Sequence, residues 1–249
     1  MAAHRLGLAV GLLTSHGEDF PLDAIPPQIE VVTVAAGATT VFEHGARDGA
    51  RTLLARACAG PLGPRDLPED WAEAPMALLA PVLGEVDPLL ADALADAAVG
   101  AAAQGWLRAV GGAGAVVPQA WDSVELLLPR IQALVLSRED VRGQEDAVAE
   151  WAQRVPLAAL TAGPDGALLF VNGERYVVRP RPARLVDPTG AGDVFAATLL
   201  VDYQRHGDPW RAAAAAACAG SLCVEGEGWS AVPDRAGLDA ALAAYALVE

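Results

Sequence analysis

The chain has 249 residues, of which 53% are hydrophobic and 20% are charged, so it can bury a substantial core and is not a disordered polypeptide. No apolar stretch reaches membrane-spanning length, so we expect no membrane partner. The net charge of −15 argues against a nucleic-acid partner, because binding to a phosphate backbone depends on clustered basic residues.

All 17 basic residues are arginines, because the sequence contains no lysine. A Walker A loop needs a lysine before its Ser or Thr, and a protein kinase needs one on its third strand, so both designs are excluded. The cysteines Cys58, Cys218 and Cys223 show no metal-binding spacing. Free thiols suit a reducing compartment, and we therefore expect a cytoplasmic protein.

The patterning predicts strands and helices along most of the chain. The predicted strands cover residues 6–14, 30–35, 39–43, 76–82, 97–103, 132–137, 157–162, 166–171 and 174–179. The predicted helices cover residues 87–97, 139–154, 193–205, 208–224 and 234–248. From residue 76 onward the two types alternate, which predicts an α/β fold with a mostly parallel sheet and helices on both faces. Residues 30–57 instead predict a small antiparallel piece.

Three polar loops follow predicted strands of this sheet, at residues 137–140, 161–166 and 187–193. Ligands of open parallel sheets bind at the carboxyl ends of the strands, where such loops lie. Any one of the loops alone is compatible with a surface turn. Their convergence predicts a ligand site at this end of the sheet.

The loop at residues 187–193 is a glycine-rich turn that leads directly into the apolar run 194–200. Small residues at 190–192 allow several backbone N–H groups to point at one anion, and the helix dipole adds to their attraction. Asp193 would repel a resting phosphate, so its presence suits a group that takes a proton from an attacking hydroxyl. The alternative is a glycine turn followed by an acidic first helical turn, without a ligand.

Residues 187–200 resemble the C-terminal signature of the pfkB (ribokinase-like) carbohydrate kinases, Asp-x-Thr-Gly-Ala-Gly-Asp followed by small and apolar residues. Residues 161–166 resemble the nucleotide loop of that family, and residues 211–223 and 225–228 resemble the wall on its adenine side. The resemblance covers most of the chain. It implies a ribokinase-like fold in one domain, residues 1–249, with ATP and Mg²⁺ as cofactors.

The resemblance also implies roles for individual residues. Asp193 is then the catalytic base, and the N–H groups of Gly190, Ala191, Gly192 and Asp193 form the anion hole. The residues implied on the nucleotide side are Thr161, Gly163, Gly166, Asp187, Thr189, Glu225 and Gly226.

A metal-linked pair is also implied, because residues 137–140 fall where the family usually has Asn-x-x-Glu, which orders magnesium-bound water. Here the pair is Ser137 and Asp140, with Glu139 as a further candidate. The alternative is that these residues cap the predicted helix 139–154.

On the acceptor side, Gln104, Trp106 and Arg108 follow a strand end where the family places substrate residues. A buried Trp and a solvated Arg are the alternative. Residues 39–43, together with residues 56–64, resemble the branch that includes inositol kinases; alternatively, residues 39–43 form an ordinary edge strand. In relatives the small antiparallel piece serves as a lid or a dimer surface, so residues 30–57 suggest a lid or a homodimer.

One departure from the family concerns the start of the chain. Family members usually begin with a strand that carries an acidic acceptor ligand and then a Gly-Gly turn, whereas no Gly-Gly pair occurs here before residue 111. An upstream start, a different acceptor site or loss of phosphotransfer would each explain this. The leading hypothesis is transfer of the γ-phosphoryl group of ATP to a small sugar or polyol. The alternatives are a nucleotide-binding regulatory domain without catalysis and a nucleoside kinase.

Overall fold

The structure is a computed structural model that describes residues 1–47 and 50–246. Its elements in chain order are α1 Ala2–Arg5, β1 Val10–His16, β2 Ile29–Ala35, β3 Val41–Arg47, β4 Ala50–Ala57, β5 Met76–Leu79, α2 Leu90–Ala93, β6 Ala98–Ala102, β7 Arg108–Val110, β8 Val116–Pro118, α3 Val124–Leu127, β9 Ala133–Ser137, α4 Glu145–Ala152, β10 Leu157–Thr161, β11 Ala167–Val171, β12 Glu174–Val178, α5 Ala191–His206, α6 Pro209–Cys223 and α7 Arg235–Ala246. Residues 48–49 of the predicted antiparallel piece, the end of the predicted helix 234–248 and the last residues of the predicted domain lie outside the described residues.

The main sheet has six strands in the order β12-β11-β10-β9-β6-β5. The four strands β5, β6, β9 and β10 run parallel, whereas β11 and β12 are added antiparallel. Side chains of β9 alternate between two apolar clusters, Leu134 and Leu136 on one face and Ala133 and Val135 on the other. Since α4 packs on the first face and α5 with α6 on the second, the predicted sheet with helices on both faces is confirmed.

Two smaller sheets precede the main sheet. β1 and β2 form a parallel pair, and β3 and β4 form an antiparallel hairpin. The small antiparallel piece is therefore present, but the prediction that it begins at residue 30 was wrong. The apolar strand β2 pairs with β1 rather than with β3, and the hairpin begins at Val41.

Two predicted helices are much shorter in the structure. The predicted helix 87–97 contains only the four residues of α2. The predicted helix 139–154 begins at Glu145. Gly143 has a φ of +85°, which a right-handed helix does not allow, and residues 137–140 form a separate hydrogen-bonded turn. Ser137 therefore does not cap this helix.

Helix α5 lies against the sheet and directs its amino terminus toward the candidate site. A side chain at Gly100 of β6 would come within 3.1 Å of Leu200, so the glycine allows close packing. Behind α5, the buried carboxylate of Asp202 forms ion pairs with Arg211 at 3.2 Å and Arg235 at 3.7 Å, which links α5, α6 and α7. No helix among the described residues is long and apolar enough to cross a membrane.

Candidate active site

The turn before α5 is held by the carboxylate of Asp187. This carboxylate accepts hydrogen bonds from the N–H of Thr189 at 2.9 Å and from the N–H of Gly228 at 3.0 Å. The Thr189 side chain contributes most to the lowered pKa of Asp187, and the two N–H bonds lower it further, because hydrogen bonds to the carboxylate favour its ionised form. The turn ends at Gly190, whose φ of +78° suits glycine. Asp187 thus fixes the shape of the turn and ties it to the loop at residue 228.

The first turn of α5 presents backbone N–H groups that no described residue uses. The N–H of Ala191 donates to Pro188 at 3.3 Å, and that of Val194 donates to Gly190 at 2.9 Å. The N–H groups of Gly192 and Asp193 have no acceptor within residues 1–47 and 50–246. They lie at the positive end of a 16-residue helix, which favours an anion. Of the four groups predicted for the anion hole, Ala191 is therefore the one already engaged.

Asp193 lines a large cavity, about 1290 Å³ in volume. Its side chain is accessible to solvent, but the surrounding protein removes part of its hydration, and this desolvation raises its pKa above the ordinary value. The positive charge of Arg108 lowers the pKa in opposition, and the negative charge of Asp140 raises it further. Asp193 is thus a carboxylate in an open cleft with one cation near enough to affect it.

Arg108 belongs to a buried network at the carboxyl ends of the strands. Its guanidinium donates to Asp140 at 2.8 Å, and Asp140 has only 4% of its side chain exposed. The second oxygen of Asp140 accepts from the Ser137 hydroxyl at 2.5 Å. The network therefore connects the end of β9 to Arg108, whose charge lowers the pKa of Asp193.

These contacts argue against Ser137 and Asp140 as direct magnesium ligands. Both oxygens of Asp140 are engaged within the protein, and Glu139 is exposed. The described residues contain no group of three His, Cys, Asp or Glu side chains that could hold a metal ion. The predicted role of these residues, ordering magnesium-bound water rather than binding the ion directly, stays a prediction.

The three residues predicted on the acceptor side take different places. Trp106 is 5% exposed, donates its indole N–H to Val86 at 2.8 Å and stacks on Trp121, so its predicted place in the substrate pocket is wrong. Gln104 is half-buried in a short 3₁₀ helix and is not among the residues that line the cavity with Asp193. Arg108 alone of the three acts on the site, and it does so through its charge.

The predicted nucleotide loop is a tight turn between β10 and β11. The Thr161 hydroxyl donates to Leu136 at 3.2 Å, and Gly163 has a φ of +56° with open space around it. Gly166 has a φ of +87°, and a side chain there would lie 2.3 Å from the carbonyl oxygen of Val178. Gly166 is thus required by the turn itself, and a role in donor binding stays a prediction for all three.

Glu225 connects the end of α6 to the segment that follows β12. Its carboxylate pairs with Arg181 at 3.4 Å and accepts the N–H of Arg184 at 3.2 Å. Gly226 lies close to Ser230, where a side chain would approach to 2.7 Å. The sequence did not single out Arg181, because Arg181 lies outside the motifs and its partner Glu225 is 44 residues away along the chain.

The fold and the site together define an α/β protein that has unpaired N–H groups at the amino terminus of α5 and an accessible carboxylate beside them. Residues 80–235 match the pfkB family of carbohydrate kinases, and because this is more than half of the chain, the chain belongs to that family.

Relatives and solved structures agree with this assignment. The chain is 32% identical over 213 residues to an inositol 3-kinase of Oryza sativa subsp. japonica, a match that covers 79% of this chain and 52% of the relative. The chain thus spans about half the length of that relative. A pyrophosphate-dependent kinase of the ribokinase family superposes with a TM-score of 0.78 at 21% identity, covering 96% of this chain and 88% of the other. Arabidopsis thaliana ribokinase, complexed with ribose and ATP, gives 0.72 at 22% identity, with coverage of 97% and 84%. These similarities show a ribokinase-like fold.

Proposed function

We propose that this protein transfers the γ-phosphoryl group of ATP to a hydroxyl of a small sugar or polyol, with Asp193 as the base. The observation that carries the proposal is the position of Asp193, an accessible carboxylate in the first turn of α5 and on the wall of the large cavity. A hydroxyl in this cavity can approach both the carboxylate and an anion at the helix terminus. Membership in the pfkB family supports the choice of a kinase over a regulatory domain without catalysis.

The reaction needs a place for negative charge beside the base. The unused N–H groups of Gly192 and Asp193 and the positive end of α5 stabilise charge on the transferring group. As the alcohol oxygen bonds to phosphorus, the bond from phosphorus to the leaving ADP oxygen breaks, and Asp193 accepts the alcohol proton. The transition state is loose, so the position of the base counts more than its strength.

Arg108 would act on two carboxylates of the site, those of Asp140 and Asp193. In a protein without lysine, its guanidinium is the cation that acts on Asp193 across the site. By opposing the effect of desolvation, it keeps the carboxylate ionised at a lower pH than burial alone would allow. We assign it a positioning role through Asp140 and an electrostatic role toward Asp193.

Donor binding would use the turns around the site. The nucleotide side consists of residues 161–166, the Asp187 turn and the loop at 225–228, which the contacts of Asp187 and Glu225 hold together. Magnesium would be held mainly by donor phosphates and water, as is common for this ion. It would offset phosphate charge in an acidic protein. The donor in one structural neighbour is pyrophosphate, so the donor itself has to be tested.

Three further assignments remain proposals. We propose that the chain acts in the cytoplasm, consistent with its free cysteines. We propose that residues 1–249 form one domain. The β3–β4 hairpin would be its lid or the surface of a homodimer.

The test is an initial-rate assay of phosphoryl transfer from ATP and from pyrophosphate to a panel of inositols, pentoses, hexoses and nucleosides. The proposal expects ADP release that depends on a sugar or polyol and on magnesium. Transfer only to nucleosides would replace the acceptor class. Donor binding in calorimetry, with no transfer to any acceptor, would contradict the proposal.

A further inference from the structure

Residues 175–184 form a basic stretch on the surface of an acidic protein. They contain four of the 17 arginines, Arg175, Arg179, Arg181 and Arg184, and no acidic residue, although the net charge of the chain is −15. The stretch covers most of β12, the edge strand of the main sheet, and the segment that follows it. Only one of these arginines, Arg181, forms an ion pair with another residue that the structure describes.

A cavity of about 260 Å³ lies beside this stretch. One wall is the segment after β12, from Arg179 to Pro182, and the other is the side of α7 that carries Ala241, Ala244 and Tyr245. Among the described residues, none lines both this cavity and the one that contains Asp193. We call this space the arginine pocket.

The two walls of the arginine pocket are fixed to each other. The Tyr245 hydroxyl donates to the backbone carbonyl of Arg179 at 2.8 Å, which joins the end of α7 to the segment after β12. The rings of Pro180 and Pro182 restrict the backbone there, and proline has no N–H group that would need a partner. The pocket is therefore formed before a ligand arrives, which lowers the entropy cost of binding.

The two arginines of the pocket differ in how their guanidinium groups are engaged. That of Arg181 donates to the Ser221 hydroxyl and to the carboxylate of Glu225, both at 3.4 Å, which is long for a hydrogen bond. That of Arg179 has no hydrogen bond or ion pair within residues 1–47 and 50–246. The pocket thus has one cation that is shared with Glu225 and one that is uncompensated.

The chemistry of the walls selects the ligand. A guanidinium group presents a planar fork of donors that matches a carboxylate. Because only one of the two cations is uncompensated, a single negative charge matches the pocket better than a doubly charged phosphate. The prolines, the alanines and the ring of Tyr245 offer apolar surface to an aromatic body. The volume is below the roughly 300–1000 Å³ of typical ligand pockets, so the ligand is compact.

We propose that the arginine pocket binds a compact aromatic monocarboxylate, with its carboxylate at Arg179 and Arg181 and its ring against α7. The ligand would compete with Glu225 for the guanidinium of Arg181. Glu225 begins the loop whose residue Gly228 donates to Asp187, so binding would act on the turn before α5. That consequence rests on the proposed function, whereas binding itself does not.

The experiment uses the whole protein and phenylacetate as the probe, followed by saturation-transfer NMR without donor or acceptor. We expect saturable binding with a Kd on the order of 1 mM, as suits a ligand of this size. Acetate lacks the ring and phenethyl alcohol lacks the charge, so each should bind at least about tenfold more weakly. Equal binding of phenethyl alcohol, tighter binding of phenyl phosphate or no binding of phenylacetate would each overturn the proposal.

Two matched pairs of variants locate the binding. Ala244→Trp fills the pocket, whereas Ala243→Trp adds the same side chain at the neighbouring exposed position of α7, outside the pocket. Arg179→Gln removes the uncompensated cation, whereas Arg175→Gln removes an exposed arginine of the same stretch that does not line the pocket. The first variant of each pair should weaken binding at least about tenfold, and the second should not. Unchanged binding in both Ala244→Trp and Arg179→Gln would place the ligand elsewhere and overturn the proposal.

Discussion

Replacing Arg108 by Met would test the network that connects the sheet to the candidate base. The substitution keeps most of the side-chain length but removes the charge. It leaves the Asp140 carboxylate, 4% exposed, without its cation, and it removes the positive charge that lowers the pKa of Asp193. We therefore expect two separate effects, one on stability and one on pH dependence.

The stability loss follows from the burial of the pair. Breaking a buried ion pair on one side costs about 3–5 kcal/mol, and because Arg108 is 22% exposed and Asp140 keeps its bond to Ser137, we expect the lower end. In a chain of this size about 3 kcal/mol lowers the melting temperature by roughly 6–12 °C. The control is Arg56→Met, which breaks an ion pair whose partners are 51% and 55% exposed and should therefore lower the melting temperature much less.

The pH effect has a definite sign. Asp193 acts as a base only when ionised, so activity is lost as the pH falls through its pKa. Without Arg108 this pKa rises, and the acid limb of kcat/KM should move to higher pH. Calorimetry and a pH–rate profile measure the two effects. A melting temperature no lower than that of Arg56→Met, together with an unchanged acid limb, would refute the account of the network.

Three further outcomes are expected. In thermal unfolding, Gly163→Ala should destabilise the protein by roughly 1 kcal/mol and Gly166→Ala by well over that amount. A side chain at residue 166 would meet a β12 carbonyl at 2.3 Å, whereas Gly163 has open space around it. Equal losses for the two variants would contradict this. With Ellman's reagent at pH 8, the exposed Cys58 should react quickly and Cys218 only on unfolding, since burial raises the pKa of Cys218 to about 11. Fast reaction of the folded Cys58→Ser variant would refute this expectation. Asp193→Asn should raise the melting temperature at neutral pH, because the raised pKa of Asp193 means that its charge disfavours folding. This advantage should shrink as the pH falls through the raised pKa and vanish at the ordinary carboxyl pKa; an unchanged or lower melting temperature at neutral pH would contradict this.

The parts of the site that the sequence predicted are local ones. The turn at 187–193 and the helix after it depend on neighbouring residues, so glycine spacing and apolar patterning were sufficient to locate them. The alternating strands and helices after residue 76 likewise predicted the parallel core. The family resemblance implied the roles of the individual residues. For Asp193, a carboxylate beside an anion-binding turn independently suits the role of a base.

The parts that the sequence missed depend on distant contacts. The resemblance implied that Ser137 and Asp140 form a metal-linked pair, but it gave no sign that Arg108 donates to Asp140 from 32 residues away. Trp106 follows a strand end, yet its indole meets Val86 in the core.

The central claim is that Asp193 deprotonates the acceptor while the terminus of α5 holds the donor phosphate. The most direct measurement is kcat for Asp193→Asn beside its Kd for ATP, because Asn keeps the shape and the backbone N–H groups but cannot take the proton. The account predicts a loss of about 10²- to 10⁴-fold in kcat with ATP affinity unchanged or slightly higher. A variant that turns over at the wild-type rate would contradict it.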